Sequence, residues 1–312
     1  MRYNRLEGLD IVPSCIGFGC WPLGGHGWGK VSSPEIIKAV HKAIDCGVNF
    51  FDTAPIYGLG HSEELLGKAL GSKRKDVIIA TKVGLTWKKG KTFQKFTDSS
   101  PANISREIGE SLKRLNTDYI DLYQIHWPDP NTPLEDTLSA MEKLKSKGKI
   151  RYIGCCNFPL DLVKESLKCG QINTIQIRYN LIDREAETDL LAFCKENGIG
   201  VLTHSSIAQG LLSGKYDEKS KFSSTDHRSR DKHFQGEAFL RNLEVVEKVK
   251  FIARKLNKTP TQIALRWVLQ NPCVATAIVG VKSVPQIEEN VVASDFTLSQ
   301  EDMEFLKKDT YS

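Results

Sequence analysis

The sequence has no apolar run long enough to cross a membrane. Its longest apolar stretches, such as residues 76–80, have the length of one strand, whereas a membrane-spanning helix needs roughly 20 apolar residues. The first residues of the chain also lack the apolar core of a secretory signal. We therefore expect a cytoplasmic protein without a membrane partner.

The chain also lacks a large net charge and a pair of closely spaced cysteines of the C-x-x-C type. The chain has 43 basic and 38 acidic residues and a net charge of +5. That excess is too small to indicate a nucleic-acid partner and supports only a mild preference for anionic small molecules. The eight cysteines are scattered without a C-x-x-C pair, which favours reduced, buried thiols. The sequence indicates no metal site.

The composition is that of a soluble globular protein. The 312 residues are 40% hydrophobic and 26% charged, which excludes disorder, collagen and coiled coil. A chain of this length suits either two average domains or one large α/β barrel. Because no linker rich in proline or serine divides it, we expect a single domain over residues 1–312.

Eight apolar, β-branched segments alternate with amphipathic stretches that carry helix signals. Ser100 and Pro101, for example, are typical of a helix start, and that helix should end near Asn116. Strands that alternate with helices form parallel βαβ units, and eight such units close into a (β/α)8 TIM barrel. The competing fold, an open doubly wound sheet, would show G-x-G-x-x-G after its first strand, and no such motif occurs. The predicted strands are residues 15–19, 48–53, 77–83, 119–126, 150–155, 174–178, 200–204 and 276–279.

Two connections between strands and helices are too long for simple turns. Residues 84–99 follow the third predicted strand and contain four lysines, and residues 213–237 follow the seventh and contain several basic residues. Both would lie at the C-terminal face of a barrel, where enzymes of this fold carry their active sites.

Four polar residues stand at or just after the ends of the second, third and fourth strands: Asp52, Tyr57, Lys82 and His126. A lysine within an apolar strand needs a partner, and Asp52 can supply the opposite charge. An ammonium close to a tyrosine oxygen favours the phenolate and lowers the phenol pKa from its ordinary value of about 10. We therefore expect Lys82 to make Tyr57 a better general acid. His126 would hold the acceptor oxygen or relay a proton.

The segments around these residues resemble the signature of the aldo-keto reductase superfamily. The similar segments are 51–58 (FDTAPIYG), 62–67 (SEELLG), 79–83 (IATKV) and 118–127 (DYIDLYQIHW), and the likeness extends from about residue 3 to the end. The pattern is similar to the bacterial and plant branches near the potassium-channel β-subunits. The resemblance implies a (β/α)8 barrel that uses a nicotinamide cofactor, with a catalytic set of Asp52, Tyr57, Lys82 and His126.

The same resemblance implies residues around the nicotinamide. The segment 154–158 (GCCNF) is similar to the family's G-x-S-N-F, which places Cys156, Asn157 and Gln176 beside the nicotinamide amide, where amide side chains can both donate and accept. His204 stands where the family has a tyrosine that stacks on the nicotinamide ring. Because an imidazole covers less area, and if protonated would repel the oxidised ring, we expect looser packing there.

Two further segments resemble the family's phosphate-binding parts. Residues 205–215 are similar to its pyrophosphate belt, and residues 280–290 to its adenosine 2′-phosphate site, which enters a helix N-terminus that favours anions. Gln286 stands where other branches often have arginine, so NADPH is expected with NADH as the alternative. The implied residues are Ser205, Ile207, Gln209, Gly210, Lys215, Gly280, Lys282, Ser283, Gln286, Glu289 and Asn290.

Trp21 and Trp127 resemble aromatic walls of the family's substrate pocket, and Trp87 would add a third; such walls suit a small apolar carbonyl compound. The predicted function is the NADPH-dependent reduction of aldehydes or ketones with Tyr57 as the proton donor. Two alternatives stay open. One is a β-subunit-like protein that binds the cofactor to regulate a partner, with slow turnover. The other is a phosphate-binding barrel isomerase, which would leave the tyrosine, lysine and histidine without a role.

Overall fold

The structure is a computed structural model that describes residues 1–6, 8–25, 27–28, 32–88 and 94–308. In chain order its strands are β1 (Ile16–Gly19), β2 (Phe50–Asp52), β3 (Ile78–Val83), β4 (Leu85–Lys88), β5 (Gln94–Thr97), β6 (Ile120–Ile125), β7 (Ile150–Cys156), β8 (Thr174–Arg178), β9 (Gly200–His204) and β10 (Val274–Gly280). Its helices are α1 (Ser33–Asp45), α2 (His61–Leu70), α3 (Pro101–Leu115), α4 (Leu134–Ser146), α5 (Leu160–Cys169), α6 (Leu190–Glu196), α7 (Gly236–Leu256), α8 (Pro260–Leu269), α9 (Val284–Val291) and α10 (Gln300–Lys307).

Eight of these strands form a closed barrel in the spatial order β1–β10–β9–β8–β7–β6–β3–β2. Neighbouring strands are parallel, and β1 pairs with both β2 and β10, which closes the sheet. Strands such as β3 and β6 are buried along their whole length, because the barrel interior covers one face and the helices cover the other. The predicted (β/α)8 barrel is confirmed. Each of the eight predicted strand segments coincides with a barrel strand.

The helix signals also act as the sequence indicates. The Ser100 side chain accepts a hydrogen bond from the Asn103 backbone at the start of α3, and Asn116 ends that helix in the left-handed conformation. Before α8, Thr259 and Gln262 form a reciprocal capping box. Among the described residues, no helix is both long enough and apolar enough to span a bilayer.

The two long connections have more structure than the sequence predicts. Residues 84–99 contain the antiparallel hairpin of β4 and β5, in which Trp87 pairs with Lys95. Residues 213–237 include short 3₁₀ helices at His227–Arg230 and Lys232–Phe234. Four aromatic rings anchor this second connection, with neighbouring centroids 5.0–6.4 Å apart: Tyr216, Phe222, Phe234 and Phe239.

Candidate active site

The four predicted catalytic side chains meet at the carboxyl end of the barrel. Asp52 is the last residue of β2, Lys82 lies near the end of β3, and His126 directly follows β6. Tyr57 lies in the turns between β2 and α2. Because β2, β3 and β6 are neighbours in the barrel, their ends bring these residues to one part of the rim.

The ammonium of Lys82 is buried and uses all of its donors. Its Nζ lies 2.7 and 2.8 Å from the two carboxylate oxygens of Asp52, 3.1 Å from the Thr53 carbonyl oxygen and 3.4 Å from the Tyr57 hydroxyl. Lys82 is 0% exposed and Asp52 is 3% exposed. Both groups have lost their hydration, and the attraction between the two opposite charges compensates that loss. Burial alone would lower the pKa of Lys82, but the Asp52 carboxylate outweighs it and raises that pKa above its ordinary value.

Burial raises the pKa of Tyr57 above its ordinary value, although the charge of Lys82 acts in the opposite direction. The net direction is the reverse of the one expected from the sequence. The physical reason is that desolvation of a phenolate costs more than one ammonium returns, since Asp52 already compensates that ammonium. The Tyr57 hydroxyl therefore keeps its proton at neutral pH, which is the form that a general acid must have.

His126 lies beside Tyr57 as a neutral imidazole. The two rings meet edge to face, with centroids 5.9 Å apart and an interplanar angle of 84°. Burial and the charge of Lys82 hold the pKa of His126 well below its ordinary value of 6.5. A neutral imidazole can donate one hydrogen bond and accept another, so His126 is suited to orient an oxygen next to the Tyr57 hydroxyl.

Two buried glutamines continue the hydrogen-bond network from Asp52 into the barrel. Gln176 donates to Asp52 Oδ2 at 2.7 Å, and Gln124 donates to the same oxygen at 3.4 Å. The Cys156 thiol donates to Gln176 Oε1 at 3.4 Å, and burial raises the pKa of Cys156 to about 12. Gln124 is a site residue that the sequence analysis missed, although a polar residue within an apolar strand was the available signal.

Asn157 and His204 form a second polar group next to this network. Asn157 Nδ2 donates to the His126 carbonyl oxygen at 3.1 Å, and His204 Nε2 lies 2.9 Å from Asn157 Oδ1. Burial and the charge of Arg178 lower the pKa of His204 to about 3. The imidazole of His204 is therefore neutral, and it would not repel the positively charged ring of an oxidised nicotinamide as a protonated imidazole would. A neutral ring with Nε2–H donates to the Asn157 oxygen.

The segment after β9 turns sharply several times. Ser205, Ala208, Gln209 and Gly210 have positive φ angles of 54°, 46°, 53° and 90°. Backbone N–H groups in successive turns of this kind form a concave surface suited to an anion. Gln209 Nε2 donates to Asp231 Oδ2 at 2.6 Å, which ties this segment to the long connection before α7.

A cluster of cations lies between this segment and α9. Burial is the largest cause that lowers the pKa of Lys215, and the charges of Arg228 and Lys282 lower it further. Burial and then the charge of Arg228 lower the pKa of Lys282 in the same way. Lys282 Nζ donates to the Trp28 carbonyl oxygen at 3.2 Å, and its backbone N–H donates to Gln286 Oε1 at 2.7 Å. The Asp226 carboxylate pairs with Arg228 and compensates one of these three charges. The positive charge that remains fits a polyanionic ligand. Arg228 lies in the long connection 213–237, whose basic residues the sequence places at this face of the barrel, but it is not among the residues predicted for the cofactor.

The other predicted cofactor residues lie around the same part of the rim. Gly280 ends β10, Ser283 immediately precedes α9, and Glu289 and Asn290 lie in the second turn of that helix. Ile207 packs partly buried against the core in the turn before Ala208. Together with the turns after β9, these positions fit an extended dinucleotide whose phosphates meet the cation cluster.

The predicted tryptophans have different environments. Trp21 lies roughly parallel to the Tyr57 ring at 6.1 Å, and its other neighbours are Trp28 at 5.0 Å and His227 at 5.0 Å. Trp87 projects from the hairpin, and Trp127 is 45% exposed beside His126. Trp28 and His227 extend the aromatic wall, and the sequence analysis did not single them out for this role.

Comparison with known proteins agrees with this geometry. Residues 15–308 match the aldo/keto reductase family. The chain is 35% identical over 321 residues to the NADH-specific methylglyoxal reductase of Escherichia coli (99% of this chain, 98% of that protein). It is 34% identical over 302 residues to the aldo-keto reductase yakc [NADP(+)] of Schizosaccharomyces pombe (95% of this chain, 88% of that protein).

Among solved structures, the glycerol dehydrogenase AKR11B4 from Gluconobacter oxydans superposes with a TM-score of 0.90 at 35% identity, and the match covers 97% of this chain and 93% of that one. The two relatives are named for NADH and for NADP(+), so the expected nicotinamide class of cofactor is confirmed. By its sequence match, its barrel and the set of side chains around Lys82, the chain belongs to the aldo/keto reductase family.

Proposed function

We propose that the protein reduces aldehydes or ketones to alcohols with NADPH and that Tyr57 donates the proton. The observation that carries this proposal is the position of the Lys82 ammonium, in contact with both the Asp52 carboxylate and the Tyr57 hydroxyl. The name of the methylglyoxal reductase from Escherichia coli supports a carbonyl substrate.

The protein's own residues divide the work of proton transfer. The cofactor, when bound, supplies the hydride for the carbonyl carbon. Tyr57 gives its proton to the carbonyl oxygen, and the adjacent ammonium of Lys82 stabilises the phenolate that remains. Asp52 keeps Lys82 charged, and His126 orients the oxygen by a hydrogen bond.

Asn157 and Gln176 are the groups suited to hold the nicotinamide carboxamide, with Cys156 and His204 next to them. Gln176 and Asn157 each satisfy their donor and acceptor within the site. Each amide nitrogen already donates both of its hydrogens. We therefore expect the N–H groups of the carboxamide to donate to the second lone pair that each amide oxygen keeps.

Lys282 and Ser283 are proposed to bind the adenosine 2′-phosphate of NADPH, and Lys215 the pyrophosphate. Arg228, which is paired with Asp226, is proposed to add a further positive charge near Lys282. This arrangement favours NADPH. The NADH-specific relative makes NADH the comparison that tests it.

The substrate is proposed to enter between the tryptophans. Trp21 lies roughly parallel to the Tyr57 ring. Trp127 follows β6, and Trp87 belongs to the hairpin. Apolar walls around one polar point suit a small carbonyl compound whose oxygen meets Tyr57 and His126.

The test is an NADPH-oxidation screen over a panel of aldehydes and ketones, repeated with NADH. Multiple turnovers that need Tyr57 support the proposal. Retention of a tightly bound cofactor with very slow turnover on every carbonyl would favour the regulatory, β-subunit-like alternative. Full turnover by Tyr57→Phe would refute the role of the tyrosine.

A further inference from the structure

A buried cation without an opposite charge lies at the end of the barrel that is remote from Tyr57. Arg266, on α8, is only 4% exposed. Its Nε donates to Gln270 Oε1 at 3.1 Å, and within the described part of the chain its two terminal nitrogens have no hydrogen-bond partner. Neither terminal nitrogen is completely enclosed, so each keeps a small contact with solvent.

A second guanidinium, that of Arg2, contacts the segment that Gln270 joins to Arg266. Gln270 Oε1, which accepts from Arg266, also accepts from the backbone N–H of Leu298, two residues after Phe296. Arg2 Nη2 donates to the Phe296 carbonyl oxygen at 2.9 Å. Burial, and after it the charge of Arg2, lower the pKa of Arg266 to about 10. The acid next to Phe296 is Asp295, whose Oδ1 accepts from Ser294 at 2.6 Å and lies 3.8 Å from the Met1 amine. Among the described residues, no carboxylate forms an ion pair with Arg2 or Arg266.

Three other buried or partly buried cations each have a carboxylate partner. Lys82 is paired with Asp52, Arg74 with Asp121 at 2.8 Å, and Arg114 with Glu63 at 2.6 Å. These pairs follow the general rule that a charge removed from water needs a counter-charge. Arg266 is more enclosed than Arg74 or Arg114 and has a like charge as its neighbour instead. Planar guanidinium groups bind oxyanions through two parallel hydrogen bonds.

We infer that Arg266 and Arg2 form a binding site for a small tetrahedral oxyanion, at the amino-terminal end of β1 and β10. The anion supplies the counter-charge that the chain lacks there. It also joins three separate parts of the chain: the first residues, which bridge Tyr3 to Ser14 ahead of β1, helix α8, and the segment around Phe296. The site does not depend on the proposed reaction.

The test is thermal unfolding in rising inorganic phosphate, from zero to about 20 mM, at constant ionic strength set with chloride. Ligand that binds only the folded state raises the midpoint, and we expect a rise of about 2–4 °C for a chain of this length. Arg266→Gln and Arg2→Gln should both lose the rise. Arg254→Gln is the matched control, because Arg254 is exposed on α7, and it should keep the rise.

The cation cluster near α9 can also attract phosphate, so Lys282→Gln belongs in the same series. Loss of the response in Lys282→Gln, with its retention in Arg2→Gln, would assign the phosphate to the active-site end and overturn the inference. An equal rise in all variants, or none in the unaltered protein, would overturn it too. If Arg266→Gln does not fold, isothermal titration of phosphate into Arg2→Gln tests the inference without it. We then expect Arg2→Gln to bind phosphate at least tenfold more weakly than the unaltered protein. Normal carbonyl reduction by Arg2→Gln would separate this site from the proposed function.

Discussion

Lys82 is held by both carboxylate oxygens of Asp52, at 2.7 and 2.8 Å, in a place where neither residue is more than 3% exposed. This pair fixes the position of the ammonium that also contacts Tyr57. The consequences for catalysis and for stability can be measured separately.

Tyr57→Phe should lower kcat for carbonyl reduction by roughly two to four orders of magnitude, because the variant has no proton to give. The dissociation constant for NADPH, measured by fluorescence quenching, should stay within about twofold, since Lys82 and Asp52 keep their contacts. Trp127→Phe serves as the control for a change at the exposed part of the site. A kcat near that of the unaltered protein would contradict the general-acid role.

Asp52→Asn should destabilise the protein by about 3–5 kcal/mol, because it leaves the Lys82 ammonium buried without its counter-charge. Urea unfolding followed by circular dichroism measures the free energy of unfolding. The double variant Asp52→Asn with Lys82→Met removes the unpaired charge and should recover part of the loss. Equal destabilisation by the single and the double variant would show that the ion pair is not the cause.

Stability should fall as the pH is lowered below about 6.5, partly because of His204. Its pKa is about 3 in the folded protein and 6.5 without the fold, so the unfolded state binds the proton first. The free energy of unfolding then decreases by up to about 1.4 kcal/mol per pH unit from this group, until the pH approaches 3. His204→Gln should reduce the slope between pH 6 and 4 in urea unfolding. An unchanged slope would mean that His204 is not the group responsible.

His204→Tyr should tighten the binding of the nicotinamide cofactor by severalfold, because a phenol ring offers more area for stacking than an imidazole. The measurement is the dissociation constant for NADP⁺ by isothermal titration. The variant also loses the contact between His204 Nε2 and Asn157 Oδ1, so His204→Phe reports the effect of ring area without a polar atom. Weaker binding by both aromatic variants would indicate that the hydrogen bond matters more than the stacking.

Lys282→Gln should raise the KM for NADPH by roughly 10- to 100-fold, because a charge-assisted hydrogen bond to phosphate contributes about 1.5–3 kcal/mol. The KM for NADH should change little, since NADH has no 2′-phosphate. Lys258→Gln is the control, because Lys258 is a half-buried lysine that packs on the Phe296 ring and not in the cation cluster. An equal loss with both cofactors would place Lys282 at the pyrophosphate instead.

The barrel and the meeting of the four rim residues could be predicted because both depend on local sequence patterns. Most barrel strands are apolar on both faces, so Asp52, Lys82 and His126 stand out where they interrupt or follow such segments. The order of parallel strands then places their carboxyl ends side by side.

Other features depend on contacts between distant segments and could not be read from local patterns. Trp28 and Arg228 meet because the long connection before α7 folds back towards the segment after β1, and nothing in either segment alone indicates the other. The direction of the Tyr57 pKa required the degree of burial, which composition does not reveal. Arg266 looks like an ordinary helix residue in the sequence, and only the structure shows that no carboxylate among the described residues forms an ion pair with it.

The way the barrel closes has a consequence for biosynthesis. Because β10 is the common neighbour of β1 and β9, a growing polypeptide keeps both of those edges open until Val274–Gly280 has left the ribosome, close to the end of the 312-residue chain. Open strand edges invite pairing with other chains. A truncated product that stops before residue 274 should therefore aggregate rather than accumulate as a smaller barrel.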